Sequence, residues 1–102
     1  MRILLVQMNP LVGDIPGNTQ KLLAAAKQGI AKYAAELIVF PELVLTAYPP
    51  EDLLLRPSLD RRIESALQTI RQAKLPAWLV VGYPGRVDGK LYNMLAVIHH
   101  GK

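Results

Sequence analysis

The chain has 102 residues, enough for one domain at most; 51% of them are hydrophobic and 20% charged, which excludes a disordered chain. Twelve basic against eight acidic residues give a formal charge of +4, but the basic residues are spread along the helices with Arg61-Arg62 as the densest pair. That is the pattern of a solvated helix face, not the clustered stripe of a nucleic-acid binder. With no cysteine there is neither a disulfide framework nor a thiolate zinc site.

In chain order, residues 3–8 (Ile3-Leu4-Leu5-Val6-Gln7-Met8) read as a near-continuous apolar strand entering a buried sheet from the amino terminus. The same run is too short for a signal peptide and has no small-residue cleavage site behind it. No segment reaches the roughly 18 apolar residues of a membrane span, so the expected location is the cytoplasm. Asn9-Pro10 and residues 13–17 (Gly-Asp-Ile-Pro-Gly) are breakers, and Asn18 is the expected N-cap of a helix. Leu22, Ala26, Ile30 and Ala34 recur at fours with Leu23 and Tyr33 beside them, while Lys21, Lys27, Gln28 and Lys32 take the other face. Gly29 interrupts this helix at some cost in propensity.

Residues 37–40 form the next strand, and the order strand, helix, strand predicts a right-handed βαβ crossover. Further on, residues 51–55 read as one helical turn. Ser58 is the expected cap of a second long helix, buried through Leu59, Ile63, Leu67 and Ile70 with Ala66 and Ala73 alongside. Asp60 complements its amino-terminal dipole, and Lys74-Leu75-Pro76 ends it. A third strand is predicted over residues 78–83. The Asp88-Gly89 pair signals a tight hairpin, and residues 91–99 return antiparallel. His99-His100-Gly101-Lys102 has the look of a further turn.

The organising stretch is the loop between the second strand and second long helix, Phe40-Pro41-Glu42-Leu43-Val44-Leu45-Thr46-Ala47-Tyr48-Pro49-Pro50-Glu51-Asp52-Leu53-Leu54-Leu55-Arg56-Pro57. Pro41 cannot donate to a continuing ladder, so Glu42 falls just past a strand's carboxyl end, where ligands collect in open α/β sheets. Phe40, Leu43, Val44 and Leu45 would desolvate the acid and raise its pKa, which suits a general base near neutral pH. The competing reading is a solvated loop acid or a capping group.

Phe-Pro-Glu after a hydrophobic strand resembles the first catalytic motif of the nitrilase (carbon-nitrogen hydrolase) superfamily. The extension Thr46-Ala47-Tyr48-Pro49-Pro50-Glu51-Asp52-Leu53-Leu54-Leu55-Arg56-Pro57 is similar to one branch, the glutaminase domains of glutamine-dependent NAD+ synthetases. The resemblance covers all 102 residues, Tyr92-Asn93 included. It implies an α/β fold in which this segment, β-α-β-α-β-β, is the N-terminal half of an αββα sandwich, incomplete as given. The remainder of the amidase domain and a synthetase domain are expected as partners.

By the same resemblance the base is Glu, the oxyanion stabiliser Lys and the nucleophile Cys. Of these only Glu42 is present. Lys102 belongs to the Gly-Lys of the terminal turn, and the chain alone is expected to be inactive. Thr46, Ser58, Ser65 and Thr69 are the conceivable hydroxyl substitutes, and none has a plausible His partner. Tyr48 either lines the glutamine pocket or packs on Pro49 and Pro50. Glu51, Asp52 and Arg56 form either an ion-paired clamp or a docking surface, and Asn93 is expected to bond backbone near the loop. Adjacent His99 and His100 would point to opposite faces of a strand, which disfavours a shared metal.

The implied activity is glutamine hydrolysis supplying ammonia for ATP-dependent conversion of nicotinic acid adenine dinucleotide to NAD+. No glycine-rich phosphate loop occurs, so ATP and Mg are expected only for the full-length synthetase and no cofactor for this segment. A homo-oligomer is expected, with no nucleic-acid or membrane partner. Two other readings stay open: another carbon-nitrogen hydrolase of the omega-amidase or carbamoyl-putrescine type, and a catalytically empty α/β binding module.

Overall fold

A computed structural model describes residues 1–11, 14–41, 43–46, 57–88 and 90–99. Among these, four strands, β1 (Ile3–Leu5), β2 (Leu37–Val39), β3 (Trp78–Val87) and β4 (Lys90–His99), and two long helices, α1 (Ile15–Tyr33) and α2 (Pro57–Gln72), follow the expected order. The sheet runs β1-β2-β3-β4. Its first three strands are parallel, and β4 returns antiparallel on β3. Val87 faces Lys90, so the hairpin loop has two residues, and Asp88 takes the left-handed conformation (φ 52°) that such a turn requires.

Alternation along the strands divides the sheet into two unlike faces. On one, Leu4, Ile38, Leu79 and Ile98 are register neighbours. They meet Leu22, Leu23 and Ala26 of α1 and Leu59, Ile63, Leu67 and Ile70 of α2 in a single apolar core. The stripe expected for α2 is therefore the buried one. On the other face lie the rows Ile3, Leu37, Trp78, His99 and Leu5, Val39, Val80, Val97, and Ile3, Leu5, Trp78 and Val97 are exposed. The layers are thus helix, sheet, open apolar face.

Several boundaries differ from the sequence reading, each for a local reason. β1 stops at Leu5, not Met8, and lies at the sheet edge with only Leu4 turned inward. Its last ladder bond is Val6 N–H to Val39 carbonyl, 2.9 Å, where β2 itself ends. Helix α1 starts three residues before Asn18. Asp14 is its N-cap and accepts from the Gly17 N–H at 3.1 Å, and Pro16 sits in the first turn, where a missing donor costs nothing.

At the other end Ala34 is the left-handed cap (φ 53°), so Ala34 and Tyr33 are exposed and fall outside the buried stripe. Gly29 takes the buried place. A Cβ there would strike Leu4 Cδ2, so this glycine lets α1 lie against β1. Helix α2 begins at Pro57, which makes Ser58 its second residue and not its cap. Strand β3 runs on through Pro84, because beyond Val80 its only ladder partner among the described residues is β4, which leaves room for a proline. The expected turn over residues 51–55 lies outside the described residues.

Candidate active site

The parallel strands β1 and β2 deliver their carboxyl ends to one rim of the sheet, where the chain leaves β1 towards Leu11 and leaves β2 towards Thr46. Phe40 makes the last bond of that rim, N–H to Val80 carbonyl at 3.2 Å. Pro41 then ends the ladder as the sequence predicts. Glu42 itself lies outside the described residues, as do Tyr48, Glu51, Asp52, Arg56, His100 and Lys102. What the structure gives is the frame on either side of position 42.

That frame is tightly made. Residues 43–46 form a turn closed by Thr46 N–H to Leu43 carbonyl at 3.2 Å. Leu43, Val44, Leu45 and Thr46 are all buried. Leu43 has φ 54°, a left-handed conformation that costs a residue with a Cβ about 1–2 kcal/mol. Such strain persists only where packing over-determines it, and it clusters at functional sites. Here the burial of three consecutive apolar side chains and one buried amide supply the restraint.

The amide is Asn18, the expected helix cap, which lies inside the helix instead. Its side chain is wholly buried. Nδ2 donates to the carbonyls of Leu11 and Leu45, and Oδ1 accepts from Leu11 N–H, each at 2.8 Å. Both donors and one acceptor are used, and the opposite amide orientation would set Oδ1 against two carbonyls. The signal lay in Asp14 and Pro16: an acid two residues before a proline already marks the helix start, which leaves Asn18 inside it.

The remaining candidates are dispersed. Thr69 Oγ1 donates to Ser65 carbonyl at 3.1 Å within α2, a local helix bond with no nucleophilic geometry. His99 stacks on Trp78 with ring centroids 4.0 Å apart and planes 3° from parallel, on the open face. Asn93 is exposed on β4 opposite Pro84. A recess of about 230 Å³ between α1 and α2, lined in part by Pro16, Thr19, Arg62 and Thr69, includes no residue of the turn. Among the described residues no three His, Cys, Asp or Glu side chains converge as metal ligands, and no helix is long and apolar enough to cross a membrane.

Residues 2–102 match the family model of the carbon-nitrogen hydrolases. The chain belongs to the carbon-nitrogen hydrolase family. It is 39% identical over 101 residues to the glutamine-dependent NAD(+) synthetase of Acinetobacter baylyi, covering 98% of this chain and 18% of that protein. With the enzyme of the same description from Synechocystis it is 43% identical over 108 residues, 98% of this chain and 19% of that one. A structure of glutamine-dependent NAD+ synthetase from Acinetobacter baumannii in complex with ADP superposes with a TM-score of 0.88 at 40% identity, over 98% of this chain and 19% of that one. The expected kinship with this family and its synthetase branch is thereby borne out, and so is a part of the nitrilase-like fold. An amidase from Nesterenkonia shares the fold alone (TM-score 0.75, 24% identity, 100% of this chain and 40% of that one). The carbon-nitrogen hydrolase chain described here spans less than a fifth of the synthetases it matches.

Proposed function

We propose that residues 1–102 are the amino-terminal portion of a glutamine amidase domain within a larger NAD+ synthetase, and that Glu42 is its general base. The observation that carries this reading is the likeness, at 39% identity over 98% of the chain, to a glutamine-dependent NAD(+) synthetase. The buried, strained turn beside position 42 is what such a base requires of its backbone.

In the intact enzyme a cysteine outside these residues gives its thiol proton to Glu42, and the thiolate attacks the carboxamide carbon of glutamine. A lysine from the same outside portion holds the oxyanion. Glu42 returns the proton to the departing nitrogen and ammonia leaves. Water then cleaves the thioester to glutamate and frees the thiol. Tyr48 forms one wall of the glutamine pocket. The ammonia passes to a synthetase domain that converts ATP-activated nicotinic acid adenine dinucleotide to NAD+ in a cytoplasmic homo-oligomer. The residues described here do not fit ATP or Mg: no metal-ligand cluster and no glycine-rich phosphate loop are among them. That chemistry is therefore assigned to the synthetase domain. The open apolar face of the sheet is where the second sheet of the αββα sandwich packs.

The test is Glu42→Gln in the intact protein, with NAD+ formation measured from glutamine and from free ammonia. Loss of a general base lowers the glutamine-dependent rate by roughly 10²–10⁴-fold and leaves the ammonia-dependent rate in place. An unchanged glutamine-dependent rate would refute the assignment. A protein with amidase activity and no NAD+ formation from either source would instead be another carbon-nitrogen hydrolase.

A further inference from the structure

We propose that Asn18 is a positioning residue for the amide-hydrolysing site, acting through the turn at residues 43–46; the inference rests on the reading of Glu42 as the base. A polar side chain at this place is not what the core asks for. Position 18 is wholly buried in a helix whose inward residues Ile15, Leu22 and Leu23 are apolar, with Thr19 the other buried polar side chain, and a leucine would serve the packing alone.

The demand comes from backbone. Where two chain connections leave the rim of a sheet, their N–H and C=O groups have no ladder partner and must find one or remain unsatisfied. Asn18 bonds three such groups in two different segments, Leu11 N–H, Leu11 carbonyl (which also accepts from Asp14 N–H at 3.2 Å) and Leu45 carbonyl, each Asn18 bond being 2.8 Å. Aspartate cannot donate to the two carbonyls, serine has one donor, and leucine has none.

The Leu45 bond matters most for chemistry. Leu45 belongs to the turn that follows position 42 directly, and that turn contains the left-handed Leu43. Without a donor at Leu45 carbonyl, the strained turn loses one of the restraints that hold it out of the ordinary backbone basins. Thr19 provides the comparison. It is just as buried, but its Oγ1 donates to Ile15 carbonyl at 2.7 Å, within its own helix, and it holds no loop.

The experiment compares Asn18→Asp, Asn18→Ser, Thr19→Val and Glu42→Gln in the intact protein. It reads kcat and KM for glutamine, NAD+ formation from ammonia, and the thermal midpoint. Displacing a base by an ångström or less costs about 10–100-fold in rate. At least one Asn18 variant should therefore lose that much glutamine-dependent kcat, with KM changed by no more than about twofold and ammonia-dependent activity retained. Thr19→Val should keep its glutamine kinetics even where its midpoint falls as far. The inference is overturned if both Asn18 variants keep kcat while Glu42→Gln is dead. It is also overturned if Thr19→Val loses kcat alongside them, or if both Asn18 variants lose both activities with a collapsed midpoint; any of these makes Asn18 structural only. Should Glu42→Gln remain active, the base assignment itself fails and takes this inference with it.

Discussion

Leu5→Lys puts the layered reading of the fold to a quantitative test. Leu5 is 72% exposed and shares a row with Val39, Val80 and Val97, the last 56% exposed. Complete burial of a leucine is worth about 1.5–3 kcal/mol. With most of its surface still open, roughly 1–2 kcal/mol of that is available only to whatever packs on this face. In the 102-residue chain the lysine is solvated, and the expected change is within about 0.5 kcal/mol, or less than about 4 °C in Tm. In the intact protein the ammonium would be trapped between two sheets, so the lost burial and the desolvation of the charge together cost several kcal/mol. Thermal unfolding followed by circular dichroism on both chains reads the difference, with Val97→Lys as a second probe at the far end of the row. Gel filtration of the short chain should show association that either lysine relieves. Equal, small shifts in the short chain and the intact protein would mean that nothing covers this face, and the αββα assignment would fall.

Two further predictions concern how α1 is seated. Gly29→Ala gains about 1 kcal/mol of helix propensity but drives its Cβ into Leu4 Cδ2, and overpacking of that kind costs about 1–3 kcal/mol. The net change is destabilising alone and stabilising in a Leu4→Ala background, a sign reversal that a double-mutant cycle in urea detects. Asp14→Ala removes the acceptor for Gly17 N–H and costs about 1 kcal/mol. Its measured effect should lie in the unfolding midpoint with glutamine kinetics untouched, the reverse of the pattern expected for Asn18.

Periodicity made the core legible. Leu59, Ile63, Leu67 and Ile70 stand in the buried stripe that their spacing requires, and the Asp88-Gly89 hairpin falls where its turn chemistry puts it. Reading failed where a residue's neighbours in space are distant in sequence. Residues 3–8 are near-continuously apolar, so a local rule extends the strand to Met8; the strand ends at Leu5 because β2, its ladder partner among the described residues, ends at Val39. Gly29 counts as a helix weakness until Leu4 is known to lie beneath it, 25 residues earlier in the chain.

Asn18 shows the same limit at the candidate site. Propensity places asparagine at a helix cap because capping satisfies orphan backbone groups near in sequence. Asn18 also bonds backbone groups outside the ladder, but one of them lies 27 residues away, on the turn beside the proposed base. The residue type was a correct signal of unpaired backbone, and only the fold could say whose. A buried amide one turn inside a helix whose cap is already supplied by an upstream acid is therefore better read as a tether between loops. In this chain the loop so tethered is the one that the Phe-Pro-Glu motif had already marked.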